Sequence, residues 1–403
     1  MDRFLEDGKR LQNELIGHRR YLHEHAETGF AVEKTLAYIK SVLQQYGYTP
    51  KKCGRAGLTA TVGRKSGKTI LLRADIDGLP IAEKTGLAYA CTGGNMHACG
   101  HDLHTAMLLG AAKLLKTREK ELKGRVKLLF QPAEELLEGA KDVIENGVLD
   151  DPKPNAAVML HVLTGTPLPS GTVVVASGIS APAADFFHIR VQGKGCHGAM
   201  PWKGVDALTV AARILLGLQE LSARELPADS PAVLTIGKVE TSGADNAIAD
   251  SATLKGTLRS FDEQSRKTVK KRMEQIAKNI AKAFRATAEV TYYGGCPTLV
   301  NDEKLSAFTE KALGQVFDEG KIFSSKALGG DVRTSGGGGS EDFAYITHKI
   351  PSVMLALSAG QQDKGYPYPL HHPKAAFDED VLWAGGVIYA TLAYAWLKND
   401  EKL

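Results

Sequence analysis

Little in this chain marks it for a specialised class of protein. It has five cysteines in 403 residues, Cys53, Cys91, Cys99, Cys196 and Cys296, an odd number at wide spacing with no CxxC pair. Neither a disulfide framework nor a structural zinc knuckle is therefore expected. An excess of one charge is also missing. Fifty basic and 46 acidic residues leave a net charge of +4, which gives no case for a nucleic-acid partner. No stretch reads as the roughly 18 consecutive apolar residues of a membrane span. The opening MDRFLEDGKRLQNEL lacks the apolar core, about 7–15 residues long, of a signal peptide. A cytoplasmic protein without a membrane partner is expected. Phosphate-loop spacing is absent as well: Gly193-Lys194-Gly195-Cys196-His197-Gly198 has the glycines but not GxxxxGK[ST].

What is present is an ordinary globular composition, 43% hydrophobic and 24% charged. A chain of this length exceeds one small core, so two domains are the default. Helices are expected over 3–24, 31–46, 103–116 and 136–146. Strands are expected at TILLRAD (69–75), RVKLLFQ (125–131) and AAVMLH (156–161). Strands alternating with helices imply an α/β domain with a mostly parallel sheet. From residue 182 the order changes to β-α-β-β-α-β, the ferredoxin-like pattern. The expected organisation is a discontinuous catalytic domain, 1–181 and 297–403, with an inserted α+β domain at 182–296. Edge strands of the inserted unit invite pairing with a second copy, so it reads as a lid and dimerisation domain in a homodimer. IPSVMLALS and a helix at 380–397 close the first domain. The run Ser335–Ser340, SGGGGS, joins Glu341-Asp342-Phe343 and reads as a tight turn in an active-site wall.

Four clusters carry chemistry: His97-Ala98-Cys99-Gly100-His101-Asp102, Glu134-Glu135, His161 and His371-His372. Three follow or end the runs LLRADID, LLFQPAEE and VMLH, and the fourth follows SVMLALS after a loop. In open parallel sheets the carboxyl ends of strands hold the ligand. A thiol, several imidazoles and paired carboxylates suit two divalent ions, and zinc, manganese, cobalt or nickel would all accept such donors. Neighbouring glutamates should point apart, one to metal and one to the attacking water. Ligand imidazoles are normally oriented by a carboxylate, and Asp75, Asp77 and Asp102 are the candidates. His97 and His104 read as supporting residues, His372 as pointing away, and His18, His23 and His25 as surface or packing residues. A cysteine hydrolase built on Cys99 would need a base across the fold, and His101 sits on the same turn. A zinc deaminase would need PCxxC, which does not occur.

MHACGHDLHTA, QPAEE, Leu160-His161, GKGCHGAMP, SEDFA and LHHP resemble the M20 metallopeptidase and amidohydrolase family. The nearest subgroup contains N-acyl-amino-acid amidohydrolases, hippurate hydrolases and indole-acetyl-amino-acid hydrolases. The resemblance implies metal-dependent hydrolysis of the amide bond of a small N-acyl amino acid. It implies two ions held by Cys99, His101, Glu135, His161 and His371, with Glu134 as general base and acid. It also implies that His197, in the inserted domain, reaches a partner subunit's site, and that Asn246 and Arg259 bind the substrate carboxylate. Relatives carry Ile-Pro after that Asn, where this chain has Ala247-Ile248-Ala249. A dipeptidase or carboxypeptidase of the same family, or a catalytically silent metal-binding homologue, are the alternatives.

Overall fold

The computed structural model describes residues 2–227, 232–318, 320–324 and 339–399. Of the turn expected at Ser335–Ser340, residues 335–338 lie outside the described residues. Contacts divide the chain into two units. One comprises Met1–Ser180, Val300–Asp331 and Asp342–Leu403, the other Ala181–Leu299 and Val332–Glu341.

The first unit is built on an eight-stranded sheet. Its strands are β1 (Lys51–Cys53), β2 (Gly57–Gly63), β3 (Thr69–Asp75), β4 (Arg125–Gln131), β5 (Ala156–Leu163) and β6 (Val173–Val175), with Ile322–Ser324 and Ser352–Ser358. The spatial order is β1-β2-β4-β3-β5, then Ser352–Ser358, β6 and Ile322–Ser324. β4, β3, β5 and Ser352–Ser358 run parallel in the centre, and β1 and β2 form an antiparallel edge. Every residue of β3 is buried, as expected for a parallel strand covered on both faces. The four central strands therefore end at one edge of the sheet.

The helix expected over 3–24 is two helices, α1 (Asp2–Arg10) and α2 (Gln12–Glu24), and that expected over 31–46 is α3 (Glu33–Gln45). The break lets α1 seat Gly8 against the helix Leu382–Lys398, where an added Cβ would lie 2.2 Å from Val387 Cγ2, while α2 packs on α4 (His101–Thr117). Leu382–Lys398 corrects the reading that no stretch is long and apolar enough for a membrane. Glu379–Lys398 passes that test by length and composition, yet 78% of its window is buried inside the fold. It is apolar all round because α1, α4 and the helix Glu303–Leu313 cover it. The helix expected over 136–146 begins only at Gly139, since Ala133 and Leu137 adopt positive φ, 56° each. The hairpin β1–β2, the three-residue strands and Glu303–Leu313 went unpredicted.

The second unit has its own core around Phe187, Ile189, Ile214, Leu218, Leu254 and Met273. Its four main strands, all antiparallel to their neighbours, lie in the order Ala232–Thr241, Ser251–Ser260, Ala183–Gln192 and Thr287–Cys296. The helices Ala207–Glu220 and Glu263–Ala283 complete the β-α-β-β-α-β order. Asp206 and Asp262 cap their first turns by accepting backbone N–H groups.

Candidate metal centre

The edge where the four parallel strands end gathers the donors. Cys99 Sγ lies 3.5 Å from His161 Nε2 and 3.3 Å from His371 Nε2. His371 Nε2 is 3.6 Å from Glu135 Oε1. His101 Nε2 is 3.9 Å from Glu134 Oε2 and 4.0 Å from Glu135 Oε1. Among the five donor groups that the described residues form are Cys99–His101–His161 and Cys99–Glu135–His371, the ligand atoms of each within 4.8 Å of one another. Cys99 belongs to both of these.

Local backbone geometry sets this up. Gly100 takes φ 86° in the left-handed region, which turns the chain between Cys99 and His101 into the start of α4. The partial positive charge at a helix N-terminus favours an anion there. The positive φ at Ala133 turns the chain after β4, and both carboxylate oxygens of Asp77 accept backbone N–H groups, of Glu134 at 3.1 Å and of Glu135 at 3.3 Å. This corrects the expectation that the two glutamates point apart. With their amides gathered on one carboxylate, both side chains come within about 4 Å of the same His101 nitrogen.

The orienting groups also differ from those expected. His101 Nδ1 donates to the main-chain carbonyl of Asp77 at 2.8 Å, and His161 Nδ1 to that of Val162 at 2.7 Å. Carbonyls rather than carboxylates thus fix both tautomers, leaving each Nε2 as the ligand lone pair. Asp75 instead holds His104, and Asp102 holds Arg19 and His23.

The residues fit a cation. His101 Nε2 and Glu135 Oε1 are buried and find no hydrogen-bond partner among the described residues, a costly arrangement for polar atoms. Burial pushes the Cys99 thiol well above its ordinary value. Burial, opposed by His101 and reinforced by Asp77 and Asp75, pushes Glu135 up to about 7. Burial and then His104 lower His161 to about 3. Low dielectric disfavours anions here, and bound cations would reverse that preference for the thiol and carboxylate.

His23 was read as a surface or packing residue. It is a buried member of a charged network in which its Nδ1 lies 2.8 Å from Asp102 Oδ2 and its Nε2 3.1 Å from Glu83 Oε1. Arg19 Nε donates to the same Asp102 oxygen at 2.8 Å. Burial raises the Asp102 carboxyl, but Arg19 and His23 outweigh it and hold it well below the usual range. A depressed carboxyl stabilises the fold above its unfolded pKa of about 4 and loses that contribution as pH falls. Arg19→Met should cost about 3–5 kcal/mol, because it leaves a buried carboxylate short of its charged partner. Urea unfolding at pH 7 reads the loss directly, and a wild-type midpoint would remove Asp102's dependence on Arg19.

The remaining predicted residues lie elsewhere. His197 and Asn246 are exposed in the second unit. They sit side by side, since His197 pairs with Ala247 in a two-stranded ribbon and Gly198 N–H donates to Asn246 O at 2.7 Å. Arg259 is half-buried on Ser251–Ser260 and donates through Nη1 to Ser340 Oγ at 2.5 Å. His372 stacks on Tyr368 at 4.3 Å. His18 lies between Tyr38 and Tyr46, and His25 stacks on Tyr21. His97 is buried with neither ring nitrogen hydrogen-bonded among the described residues.

The model of peptidase family M20/M25/M40 matches residues 71–395. The chain is 38% identical over 396 residues to the N-acetyl-L-cysteine deacetylase of Bacillus subtilis (strain 168), covering 97% of this chain and 90% of that protein. It is 34% identical over 401 residues to thermostable carboxypeptidase 1 of Saccharolobus solfataricus, covering 98% of each. The crystal structure of the Bacillus subtilis YXEP protein, a dinuclear metal binding peptidase from the M20 family, matches with a TM-score of 0.77 and 33% identity. That match covers 97% of this chain and 99% of the other.

Proposed function

The chain belongs to peptidase family M20/M25/M40, and from that membership we propose that it hydrolyses the amide bond of N-acyl amino acids to a carboxylic acid and a free amino acid. The observation that carries this reading is the shared Cys99 Sγ, within 3.5 Å of His161 and His371, beside the unpartnered His101 Nε2 and Glu135 Oε1. Cys99, His101, Glu135, His161 and His371 would hold two divalent ions, zinc, manganese, cobalt or nickel. When bound, such ions supply Lewis-acid polarisation of the amide carbonyl and acidify water toward neutral pH.

The chain's own residues do the rest. Glu134 takes the proton of the attacking water and returns it to the leaving nitrogen, which an amide needs because an amine anion is a poor leaving group. The partner subunit's His197 donates to the carbonyl oxygen as charge develops there. Asn246 and Arg259 hold the substrate's free carboxylate. The setting is a cytoplasmic homodimer, in keeping with five unbridged cysteines. Mixing His197→Ala chains with Glu134→Gln chains should recover activity in mixed dimers. Continued inactivity removes the contribution in trans.

The names of the relatives favour two substrate classes. The deacetylase supports an N-acyl amino acid, and the carboxypeptidase supports a peptide. Purified protein assayed for metal content and offered N-acetyl amino acids, N-benzoyl amino acids, dipeptides and longer peptides separates them. Chelation should abolish the activity and re-addition of metal restore it. Metal bound without turnover of any N-acyl amino acid defeats the proposal.

A further inference from the structure

Arg73 lies in β3 with its side chain fully buried. A buried guanidinium is tolerated only where its N–H groups find acceptors. Here Nε donates to Gln131 Oε1 at 3.0 Å, Nη1 to Asp75 Oδ2 at 2.8 Å and Nη2 to Asp342 Oδ1 at 2.9 Å. Asp342 is itself held by Gln131 Nε2 at 2.8 Å and by the backbone N–H of Ala140 at 2.7 Å.

The chain of bonds continues toward the metal centre. Asp75 Oδ1 accepts from His104 Nδ1 at 2.5 Å. His104 Nε2 accepts the backbone N–H of Val162 at 2.8 Å, and Val162 O accepts from His161 Nδ1 at 2.7 Å. The directions are mutually consistent. A nitrogen that accepts an amide N–H carries no proton, so His104 is the neutral Nδ1–H tautomer and has no lone pair left for a metal.

The place of this chain in the sheet explains its form. The ladder between β3 and β5 ends at Arg73 and Met159, while β5 stays paired with Ser352–Ser358 as far as Leu163. Past Met159 the backbone of β5 has lost β3 as a partner, and at Val162 the rings of His104 and His161 take the N–H and the C=O. Asp342, Arg73, Asp75 and His104 are all fully buried. Apolar side chains of similar volume would fill this space at lower desolvation cost, so packing alone does not account for the series.

We propose that His104, anchored through Asp75 and Arg73 to Asp342, is a positioning residue that holds the end of β5 so that His161 presents Nε2 to Cys99. The proposal rests on the reading of His161 as a metal ligand. Its removal should loosen one ion of the pair and spare the other.

The test uses the full-length protein loaded with cobalt. Competition with a chelator gives the affinity of each ion, and the visible spectrum reports their coordination. His104→Phe keeps a ring but makes neither hydrogen bond. It should weaken one ion about 10–100-fold, the usual scale for a partner behind a ligand, with circular dichroism unchanged. His104→Gln, which can still bridge Asp75 and Val162, should recover part of that loss. On a His161→Ala background His104→Phe should change nothing further. Wild-type affinity for both ions in His104→Phe, or an equal additional loss on the His161→Ala background, overturns the proposal. Should His104→Phe fail to fold, Asp342→Asn loosens the far end while keeping its shape. A loss confined to one ion is then the expected result, and unchanged affinities refute it. If the wild-type protein binds no ions, the hydrolase reading itself fails. Ions bound normally in both wild type and variant defeat this inference alone.

Discussion

Glu134→Gln should leave the metal content of the protein intact and lower kcat by about 10²–10⁴-fold, the range for loss of a positioned acid–base group. The substitution is close to isosteric, so the turn after β4 should survive. Asp77 holds that turn through backbone N–H groups rather than through the Glu134 side chain. A glutamine can neither take a proton from water nor give one to the leaving amine. The effect should fall on kcat more than on KM, because the proton is in flight only in the transition state. Full activity in the variant would transfer the role to another group, and Glu135, whose carboxylate approaches the same His101 nitrogen, is the nearest.

The second large effect is expected at Gly100. Its φ of 86° would cost a residue with a Cβ roughly 1–3 kcal/mol in strain. The added carbon would also lie 2.4 Å from Val162 Cγ2 and 3.0 Å from a ring carbon of Phe377. Overpacking of that kind adds about 1–3 kcal/mol. Gly100→Ala should therefore lower stability by roughly 2–6 kcal/mol, and the damage should not remain local. Relief requires either Val162 or the Cys99–His101 turn to move, and both carry ligand geometry. Urea unfolding of the metal-free protein, followed by metal titration, measures the two parts separately. Wild-type stability together with wild-type metal binding would show that the turn tolerates a side chain.

Much of this was legible in the chain because its signals are local. TILLRAD and RVKLLFQ read as strands alternating with helices, each with a short apolar stretch at its centre, and the structure has strands at both. Donor chemistry and position after hydrophobic runs single out the clusters around Cys99, Glu134-Glu135, His161 and His371-His372. The family resemblance selects Cys99, His101, Glu135, His161 and His371 from them, and these five lie together. The misses share a different cause. The two glutamates were expected to diverge, as neighbours do in regular structure, but positive φ at Ala133 and the grip of Asp77 on two amides turn both inward. His23 reads as a surface or packing residue, and only contact with Asp102, 79 positions away, places it in a buried network of charged groups. The split between α1 and α2 reflects packing against a helix more than 370 residues later.

Donor types and the positions of the four central parallel strands were written in the sequence, since residue chemistry and hydrophobic period depend on near neighbours alone, whereas the order of the strands across the sheet was not. Which nitrogen of each histidine faces the ligand side, and which groups hold it there, was settled by folding. Those choices are made by main-chain carbonyls and by buried partners from distant segments. A carbonyl is common to every residue, so no side-chain pattern could have singled out those of Asp77 and Val162.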